Sequence, residues 1–428
     1  MPFVAPGSRF YRVCMSPGSH VLVVNAGSSS LKYQLIDPAS DRTLARGLVE
    51  RLTSPDADLR HWPGTGDELV IDCPGTGPAE ALTLMLDTFA NHGPPLEDLA
   101  AIGHRVVHGG RRFSSATLID TDVIDAIRDL IPLAPLHNPV NLDGIETMRK
   151  LRPDLPQVAV FDTGFHAGLP AVASTYPLPV DVAKRWQIRR YGFHGTSVAY
   201  VSATAAAFLG RDPGDVAMIV CHLGNGASIT AVEAGRSVDT SMGFSPLEGL
   251  MMGSRVGDLD ASVPLYLQRE AGLSIDEVDH LLNRESGMLG MTGATDMRSV
   301  EASAAAGDED AVLALGIYAY RLRKYIGAYH AVLPHTDALV FTGGVGENAA
   351  DLRAEVCSTL PHLGIRLDHA ANAAAFRSHE PHRIDDGSAP VAVLVVPTNE
   401  ELQIARETVR LLDQHAHRQP DRRMRDDS

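Results

Sequence analysis

The sequence contains little cysteine, few aromatic residues and no long apolar run. Its four cysteines, Cys14, Cys73, Cys221 and Cys357, are widely spaced without a C-x-x-C pair, so neither a disulfide framework nor a zinc site is expected. No stretch approaches the ~20 apolar residues of a membrane span, and the N-terminal segment lacks the apolar core of a secretory signal. These absences favour a cytoplasmic protein.

Lysine and arginine are also scarce, 37 against 53 aspartates and glutamates, which gives a formal net charge of −16. A chain this acidic has no general attraction for nucleic acid or for an anionic membrane. We therefore expect small-molecule partners. An anionic ligand would therefore need individual arginine side chains located at its binding site.

The length of 428 residues exceeds that of one ordinary domain and predicts two or three. The 44% hydrophobic and 21% charged residues are typical of a folded globular protein. Residues 1–19 are interpreted as an N-terminal extension, with Met15 as an alternative start to Met1. Residues 416–428, of mixed charge and without periodicity, are interpreted as a flexible, solvated tail.

Short apolar runs that end in glycine or polar clusters recur along the chain, separated by segments of helical periodicity. This alternation predicts an α/β fold, with ligands at the strand ends. Amphipathic helices are predicted at 79–91, 198–209 and 310–332. The strand-like runs are VLVVNAGSSS, AAIGHRVVHGG, VAVFDTGFH, MIVCHLGNGAS, ALVFTGGVGEN and VAVLVVPTNEE.

A weak internal repeat links the two halves of the chain. VVNAGSSSLKYQL turns through small residues after Asn25 and returns as a strand, and VCHLGNGASITAV does the same after His222. Gly and Ser let a backbone approach a ligand closely and offer N–H and O–H groups to phosphate oxygens. The repeat predicts a duplicated unit whose two phosphate-facing hairpins flank a nucleotide cleft.

The first hairpin carries Ser28, Ser30 and Lys32, and an ordinary polar β-turn is the alternative interpretation. The P-loop pattern is absent. A dinucleotide-type G-x-G-x-x-A occurs at 344–349, where a tight strand-to-helix turn without a ligand is equally compatible.

Arg105 and Arg255 are each set among glycines, where a long side chain can reach an anionic ligand. The alternative interpretation is that both arginines lie on the protein surface and bind no ligand. Arg298 has the further alternative of a local ion pair with Asp296. His194, within YGFHGTS, could donate a hydrogen bond to a phosphoryl oxygen.

Asp162 and Glu400 follow β-branched apolar runs, where an unaccompanied carboxylate would be costly to desolvate. A bound Mg²⁺ would be the cation that accompanies these carboxylates. The alternative for Glu400 is a helix first turn capped by Thr398 or Asn399.

Nine segments in order, from about residue 20 to about 412, resemble the acetate kinase family. The resemblance implies two duplicated ribonuclease-H-like domains of the actin and sugar-kinase type around a nucleotide cleft. The implied domains are 20–165 with 398–415, and 166–397. The segments are NAGSSSLK, GHRVVHGG, PLHNP, FDTGFH, RRYGFHGTS, CHLGNGAS, SPLEGLMMGSR, FTGGVGEN and PTNEE.

The resemblance also implies roles for individual residues. The implied metal ligands are Asn25 and Glu400. Catalytic roles fall on Arg105, His137, Asp162, His194 and Arg255. The substrate pocket combines Arg105 with the apolar Val107, Leu136, Phe193 and Pro246. The nucleotide-binding residues are Lys32, His222, Leu223, Gly224, Asn225, Gly226, Asp296, Met297, Arg298, Gly344, Val345, Gly346, Glu347 and Asn348.

The activity implied by the resemblance is reversible, direct in-line transfer of the ATP γ-phosphoryl group to acetate, giving acetyl phosphate and ADP. It implies Mg²⁺, with Mn²⁺ as a substitute, and a homodimer. Propionate or butyrate kinase is the alternative within the family. An actin-like nucleotide-binding regulator and a dinucleotide-dependent oxidoreductase are alternatives of other classes. Val198, Val256 and Ala261 depart from the family pattern at positions without an assigned chemical role.

Overall fold

A computed structural model describes residues 19–27 and 29–418. The predicted N-terminal extension up to residue 18, Ser28 of the first hairpin and the tail beyond residue 418 lie outside the described residues. The last helix ends at Arg418, so residues 416–418 of the predicted tail are helical.

The first sheet is built from the N-terminal part of the chain. Its strand order is β5-β4-β3-β2-β1-β6-β8-β7. Strands β1 to β5 pair antiparallel in sequence, whereas β1, β6 and β8 are parallel. The strands are β1 (His20–Ala26), β2 (Ser30–Asp37), β3 (Arg42–Glu50), β4 (Asp58–Trp62), β5 (Leu69–Asp72), β6 (Leu99–Val106), β7 (Thr117–Leu118) and β8 (Gln157–Phe161).

The second sheet follows the same plan. Its order is β11-β10-β9-β12-β14-β13, with β9, β10 and β11 antiparallel and β9, β12 and β14 parallel. The strands are β9 (Ala217–Leu223), β10 (Ala227–Glu233), β11 (Arg236–Thr240), β12 (Ala338–Thr342), β13 (His382–Arg383) and β14 (Ala392–Val395).

Both sheets therefore share a five-strand core in which the first strand lies between its own hairpin and two parallel strands. Asn25 and His222 each occupy the penultimate position of the first strand and face Lys32 and Ser228 across the hairpin. The predicted fold class, two duplicated ribonuclease-H-like units of α/β type, is confirmed.

Helices cover the faces of both sheets, and the three helices predicted from periodicity are confirmed within three residues at each end. The helices are α1 (Pro78–His92), α2 (Thr121–Asp129), α3 (Asn138–Leu151), α4 (Ala171–Ser174), α5 (Val180–Arg185), α6 (Gly195–Phe208), α7 (Ser262–Glu270), α8 (Ile275–Arg284), α9 (Gly287–Thr292), α10 (Met297–Ala305), α11 (Glu309–Val332), α12 (Gly343–Asn348), α13 (Ala350–Cys357), α14 (His369–Ala374) and α15 (Glu400–Arg418).

Two of these helices cross between the halves. Helix α6 follows the first sheet in sequence, but its Val198 and Val201 pack against the second sheet. Helix α15 follows the second sheet, and its Leu402 and Ile404 pack against Val21 and neighbouring residues of the first. The two helices also contact each other. Apolar burial thus places α6 on the second sheet and α15 on the first.

No helix in residues 19–418 combines the length and the apolar character needed to cross a membrane.

Candidate functional site

An arginine and a carboxylate meet where two parallel strands of the first sheet end. Arg105 is the penultimate residue of β6, and Asp162 directly follows β8. Parallel strands bring their carboxyl ends to one edge, so the two side chains face each other. Arg105 Nε donates to Asp162 Oδ1 at 3.0 Å and Nη2 donates to Oδ2 at 2.7 Å. This bidentate geometry fixes the guanidinium plane.

The start of α15 adds a second carboxylate to this pair. Glu400 Oε2 lies 3.6 Å from Arg105 Nη1. Asn399 caps the helix, because its Oδ1 accepts from the backbone N–H of Leu402 at 3.0 Å. The capping interpretation for this segment is therefore correct for Asn399, and the same turn brings Glu400 to the strand ends.

The charged groups of this cluster shift one another's pKa values. Burial raises the pKa of Glu400, but the positive charge of Arg105 outweighs this effect, so the pKa lies below its usual range. Burial also raises the pKa of Glu401, the next residue, with the charge of Glu400 as the second cause. Glu400 is therefore held as a carboxylate beside a guanidinium.

A cavity of about 190 Å³ opens beside Arg105 and is lined from both halves of the chain. It brings together Asn25, the five predicted catalytic residues and the predicted substrate-pocket residues. Its lining residues are Asn25, Ala26, Gly27, Arg105, Val107, Leu136, His137, Asn141, Asp162, Phe193, His194, Pro246 and Arg255.

Arg255 is the second cation of this cavity. Its Nη1 donates to the carbonyl oxygen of Pro246 at 2.8 Å, and within the described residues it forms no ion pair. Burial and the nearby Arg284 lower its pKa. The end of α8 holds its backbone, since Val256 N–H donates to Leu282 O and Ser286 N–H to Ser254 O. A part-buried guanidinium without a carboxylate partner is a suitable site for an anion.

His194 and His222 lie against each other, with their ring centroids 4.2 Å apart and the rings tilted by 30°. Burial is the main cause that lowers the pKa of both imidazoles, so both are neutral at neutral pH. His194 adopts the left-handed conformation, φ 57°, at the start of α6, and its Nδ1 lies 3.0 Å from Ser228 Oγ. When the Ser228 hydroxyl donates to Nδ1, the Nε2–H of His194 is left free to donate.

The second hairpin lies against these side chains. A methyl group on Gly226 would lie 3.3 Å from His194 Nε2 and 3.4 Å from Arg255 Nη2. The glycine lets the hairpin backbone come this close to both groups.

A larger cavity of about 550 Å³ lies in the second half and begins at the same hairpin. Eight predicted nucleotide-binding residues line it: Gly224, Asn225, Asp296, Met297, Arg298, Gly344, Val345 and Asn348. Asp296 caps α10, accepting from Ser299 N–H, and pairs locally with Arg298, so the alternative of a local ion pair is correct there.

The other predicted nucleotide-binding residues lie outside that lining. Leu223 and Gly346 are buried, and Lys32 is exposed beside the Glu400 turn. His222 hydrogen-bonds to Ser197 Oγ through Nδ1 at 2.8 Å. Glu347 Oε1 accepts from the backbone N–H of Gly343 at 2.9 Å and of Thr398 at 3.1 Å. Glu347 therefore has a structural role, because these last two contacts link the end of β12 to the start of α15.

A third cavity, of about 240 Å³, connects these regions. Like the small cavity it is lined by Leu136, His137, Pro246 and Arg255, and like the large one by Asn225. A ligand bound at Gly224 and Asn225 therefore faces one bound between Arg105 and Arg255.

The predicted metal ligands are an amide and a carboxylate. Asn25 lines the small cavity. Glu400 does not line it but forms an ion pair with Arg105, which does. In the part of the chain that the structure describes, no three His, Cys, Asp or Glu side chains form a metal cage. Oxygen donors in small number suit Mg²⁺, which is commonly held by one or two carboxylates with substrate phosphates and water.

Several lining residues carried no recognisable signal in the sequence. Arg284 lines the connecting cavity, and Tyr318, Phe376 and Arg377 line the large one. They lie on helices and loops without glycine-rich or strand-end context, which was the signal that identified the others. Arg377 has a left-handed φ of 52°, visible only in three dimensions.

Comparison with known proteins agrees with this geometry. The chain matches the Acetokinase family over residues 20–406. The acetate kinase of Streptomyces avermitilis is 53% identical over 406 residues, covering 94% of this chain and 100% of that protein. The crystal structure of Porphyromonas gingivalis acetate kinase superposes with a TM-score of 0.86 at 42% identity, covering 92% of this chain and 100% of that one. A propionate kinase from Francisella tularensis gives a TM-score of 0.86 at 42% identity, covering 91% and 98%. The match along most of the chain shows that it belongs to the acetokinase family.

Proposed function

We propose that this chain transfers the γ-phosphoryl group of ATP reversibly to acetate, giving acetyl phosphate and ADP by direct in-line transfer. One observation carries the proposal: Arg255 is part-buried and has no carboxylate partner in the described residues. It lies between the small cavity and the glycine hairpin of the larger one. Such a cation suits a phosphoryl group that passes from one ligand to another.

Acetate would lie in the small cavity, its carboxylate toward the arginines and its methyl group toward Val107, Leu136, Phe193 and Pro246. A carboxylic acid of pKa ~4 is ionised at neutral pH and needs no general base to attack. A site made of cations and neutral donors is therefore sufficient. Asp162 would act by orienting Arg105 through the bidentate pair.

ATP would occupy the large cavity, with its phosphates toward Gly224, Asn225 and Gly226. The neutral His194 would donate from Nε2 to a γ-phosphoryl oxygen, and Arg255 would offset the repulsion between phosphoryl group and carboxylate. In phosphoryl transfer the protein typically positions the reacting groups and stabilises their charge, and it forms no covalent bond to them.

Asn25 and Glu400 would hold Mg²⁺ near the phosphates, with Mn²⁺ as a substitute. The ion would supply positive charge to the phosphate oxygens. The oxygen-only donor set of this pair supports the assignment.

Acetate is the proposed acceptor, and propionate or butyrate is the alternative. Propionate has some support, because one similar structure is that of a propionate kinase. One additional methylene is worth only about 0.8 kcal/mol of burial, so only crowding in the pocket can separate the two acids. Phe193, 2% exposed, forms one rigid wall of that pocket.

A homodimer and a cytoplasmic location also remain proposals, based on the family resemblance and the scarcity of cysteine. Cys73, Cys221 and Cys357 are buried as free thiols, which suits a reducing compartment. Sedimentation of the purified chain would test the dimer.

The test of the activity is formation of acyl hydroxamate from ATP with acetate, propionate or butyrate. We expect turnover with acetate to be the highest. Arg255→Ala should lower kcat by about 10²- to 10³-fold, because it removes a charge that acts on the reacting groups. Arg42→Ala, at an exposed position of β3, is the matched control and should retain full activity. Near-normal turnover by a folded Arg255→Ala protein would refute the assignment.

A further inference from the structure

The connecting cavity of about 240 Å³ reaches from the protein surface to the small cavity. Two of its lining residues, Asp279 and Arg284, are exposed on α8 and mark its outer end. Three others, His137, Pro246 and Arg255, are part-buried and also line the small cavity. The connecting cavity therefore offers a small ligand a path from solvent to Arg255.

Arg284 is the last residue of α8, and the carboxylates next to it contact other groups. Asp279 Oδ1 accepts from Asn283 Nδ2 at 3.0 Å. Glu285 Oε1 lies 3.3 Å from His280 Nε2. Arg284 forms no ion pair with any side chain that the structure describes. Its positive charge at the outer end of the cavity is therefore available to an anionic ligand.

A hydrogen bond between the two loops holds Arg284 in place relative to Arg255. Ser254 Oγ donates to the backbone oxygen of Asn283 at 3.1 Å. These two residues directly precede Arg255 and Arg284 in the chain. The two guanidiniums are thus carried by one hydrogen-bonded unit, one at the outer part of the cavity and one at its junction with the small cavity.

The charge of Arg284 acts on the groups at that junction. Burial is the main cause that lowers the pKa of Arg255, and the charge of Arg284 is the second cause. Burial lowers the pKa of His137 to about 4, with Arg284 among the arginines whose charge adds to this effect. The cations along the path repel one another, and an anion that enters relieves this repulsion.

We propose that the connecting cavity is the entry path of the acid and of its acyl phosphate, and that Arg284 attracts these anions at its outer end. The inference rests on the proposed function, because it takes these anions as the ligands. A charge at the rim of a binding site acts on association and on its salt dependence. Acetyl phosphate carries more negative charge than acetate at neutral pH, so Arg284 should affect acetyl phosphate more.

The test is steady-state kinetics of Arg284→Gln in both directions of the reaction, at low and at high salt. The KM for acetyl phosphate should rise by about threefold to fivefold, and the KM for acetate by less. The kcat/KM for acetyl phosphate should also depend less on salt than in the unmodified protein. The kcat and the KM for ADP should be unchanged, because Arg284 lines neither the small nor the large cavity.

The opposite charge at the same place should have the opposite effect. Asp279→Asn keeps the oxygen that accepts from Asn283 Nδ2 but removes the negative charge, so it should lower the KM for acetyl phosphate. Arg284→Lys keeps the positive charge and should restore most of the affinity lost in Arg284→Gln.

Arg269→Gln is the matched control. Arg269 is exposed on α7 and lines none of the three cavities, and its replacement changes the net charge by the same amount. This variant should keep the KM for acetyl phosphate and its salt dependence. An equal rise of KM in both variants would assign the effect to net charge and overturn the inference.

Two further results separate the entry path from the proposed function. An unchanged KM for acetyl phosphate and an unchanged salt dependence in Arg284→Gln would overturn the entry path and leave the proposed function intact. A fall in kcat at unchanged KM would also overturn it, because Arg284 would then act on the transfer step. An unmodified protein that forms no acyl phosphate would instead overturn the proposed function, and the entry path with it.

Discussion

The two halves of the chain share a strand plan but present different chemistry at equivalent positions. In the first half, Val24 of β1 faces His104 of β6, and Arg105 follows. In the second, Cys221 of β9 faces Phe341 of β12, and Thr342 follows. Positions that carry an imidazole and a guanidinium in one half thus carry a phenyl ring and a hydroxyl in the other.

The two halves therefore contribute different groups to the cleft. The first half supplies a buried ionic cluster, Arg105 with Asp162 and Glu400, at its strand ends. The second half supplies glycine-rich turns, among them Gly226 and Gly344, at its own. Duplication therefore explains the shared strand plan, and divergence at a few strand-end residues gives the two sides of the cleft different chemistry.

The largest contrast is expected at the ionic cluster. Arg105→Ala should lower the free energy of unfolding by about 3–5 kcal/mol, because it leaves Asp162, 2% exposed, and the partly buried Glu400 without their cation. Urea denaturation followed by circular dichroism measures this loss. Thr342→Ala at the equivalent position of the second half should cost only about 1 kcal/mol. Equal losses in both variants would contradict the division described here.

A second contrast concerns acid sensitivity. His104 is buried against Gln157, with 2.8 Å between Nε2 and Oε1, and burial lowers its pKa to about 4. The unfolded chain, with a histidine pKa near ~6.5, binds the proton first, so this contribution is present above pH ~6.5 and is lost as the pH falls toward 4. The loss should reach about 2 kcal/mol at pH ~5.

Urea denaturation at neutral pH and at pH ~5 measures this effect. In His104→Gln the difference in unfolding free energy between the two pH values should shrink by about 2 kcal/mol. Phe341→Leu, the equivalent residue of the second half, does not titrate and should lower stability by the same amount at both pH values. An unchanged pH dependence in His104→Gln would place the acid-sensitive group elsewhere.

The smallest contrast lies in the two crossing helices. Asn399 caps α15 with its side chain, whereas His194 at the start of α6 makes no capping hydrogen bond. Asn399→Ala should therefore cost about 1 kcal/mol of stability. Asn399→Asp keeps the acceptor and should restore most of it. Thermal unfolding of both variants checks the cap, and a full loss in Asn399→Asp would argue against it.

The repeat was readable in the sequence because each first strand is a short apolar run that ends in a polar residue and a small-residue turn. Asn25 and His222 were aligned from that pattern, and the structure gives them the same place in the two sheets. Strand ends concentrate ligand-facing residues, so Arg105 and Asp162 were each recognisable as candidates, but their pairing was not predicted, since Mg²⁺ was the expected companion of the Asp162 carboxylate. Their roles in catalysis remain predictions.

Contacts between distant segments left no such pattern. Glu347 falls in a glycine-rich motif, but its carboxylate accepts from the backbone of Gly343 and Thr398. Tyr318 falls in an amphipathic helix, where a tyrosine looks like any core residue. Only the packing of α11 beside the large cavity makes it a lining residue of that cavity.

The sequence by itself determined the α/β class, the duplication and the strand ends that carry polar groups, because these follow from local periodicity and from short-range turn chemistry. Tertiary structure alone decided that Arg255 is a part-buried cation without a carboxylate partner among the described residues, and that Arg105 pairs with the Asp162 carboxylate. Both depend on burial and charge balance among residues far apart in the chain, which no local pattern encodes.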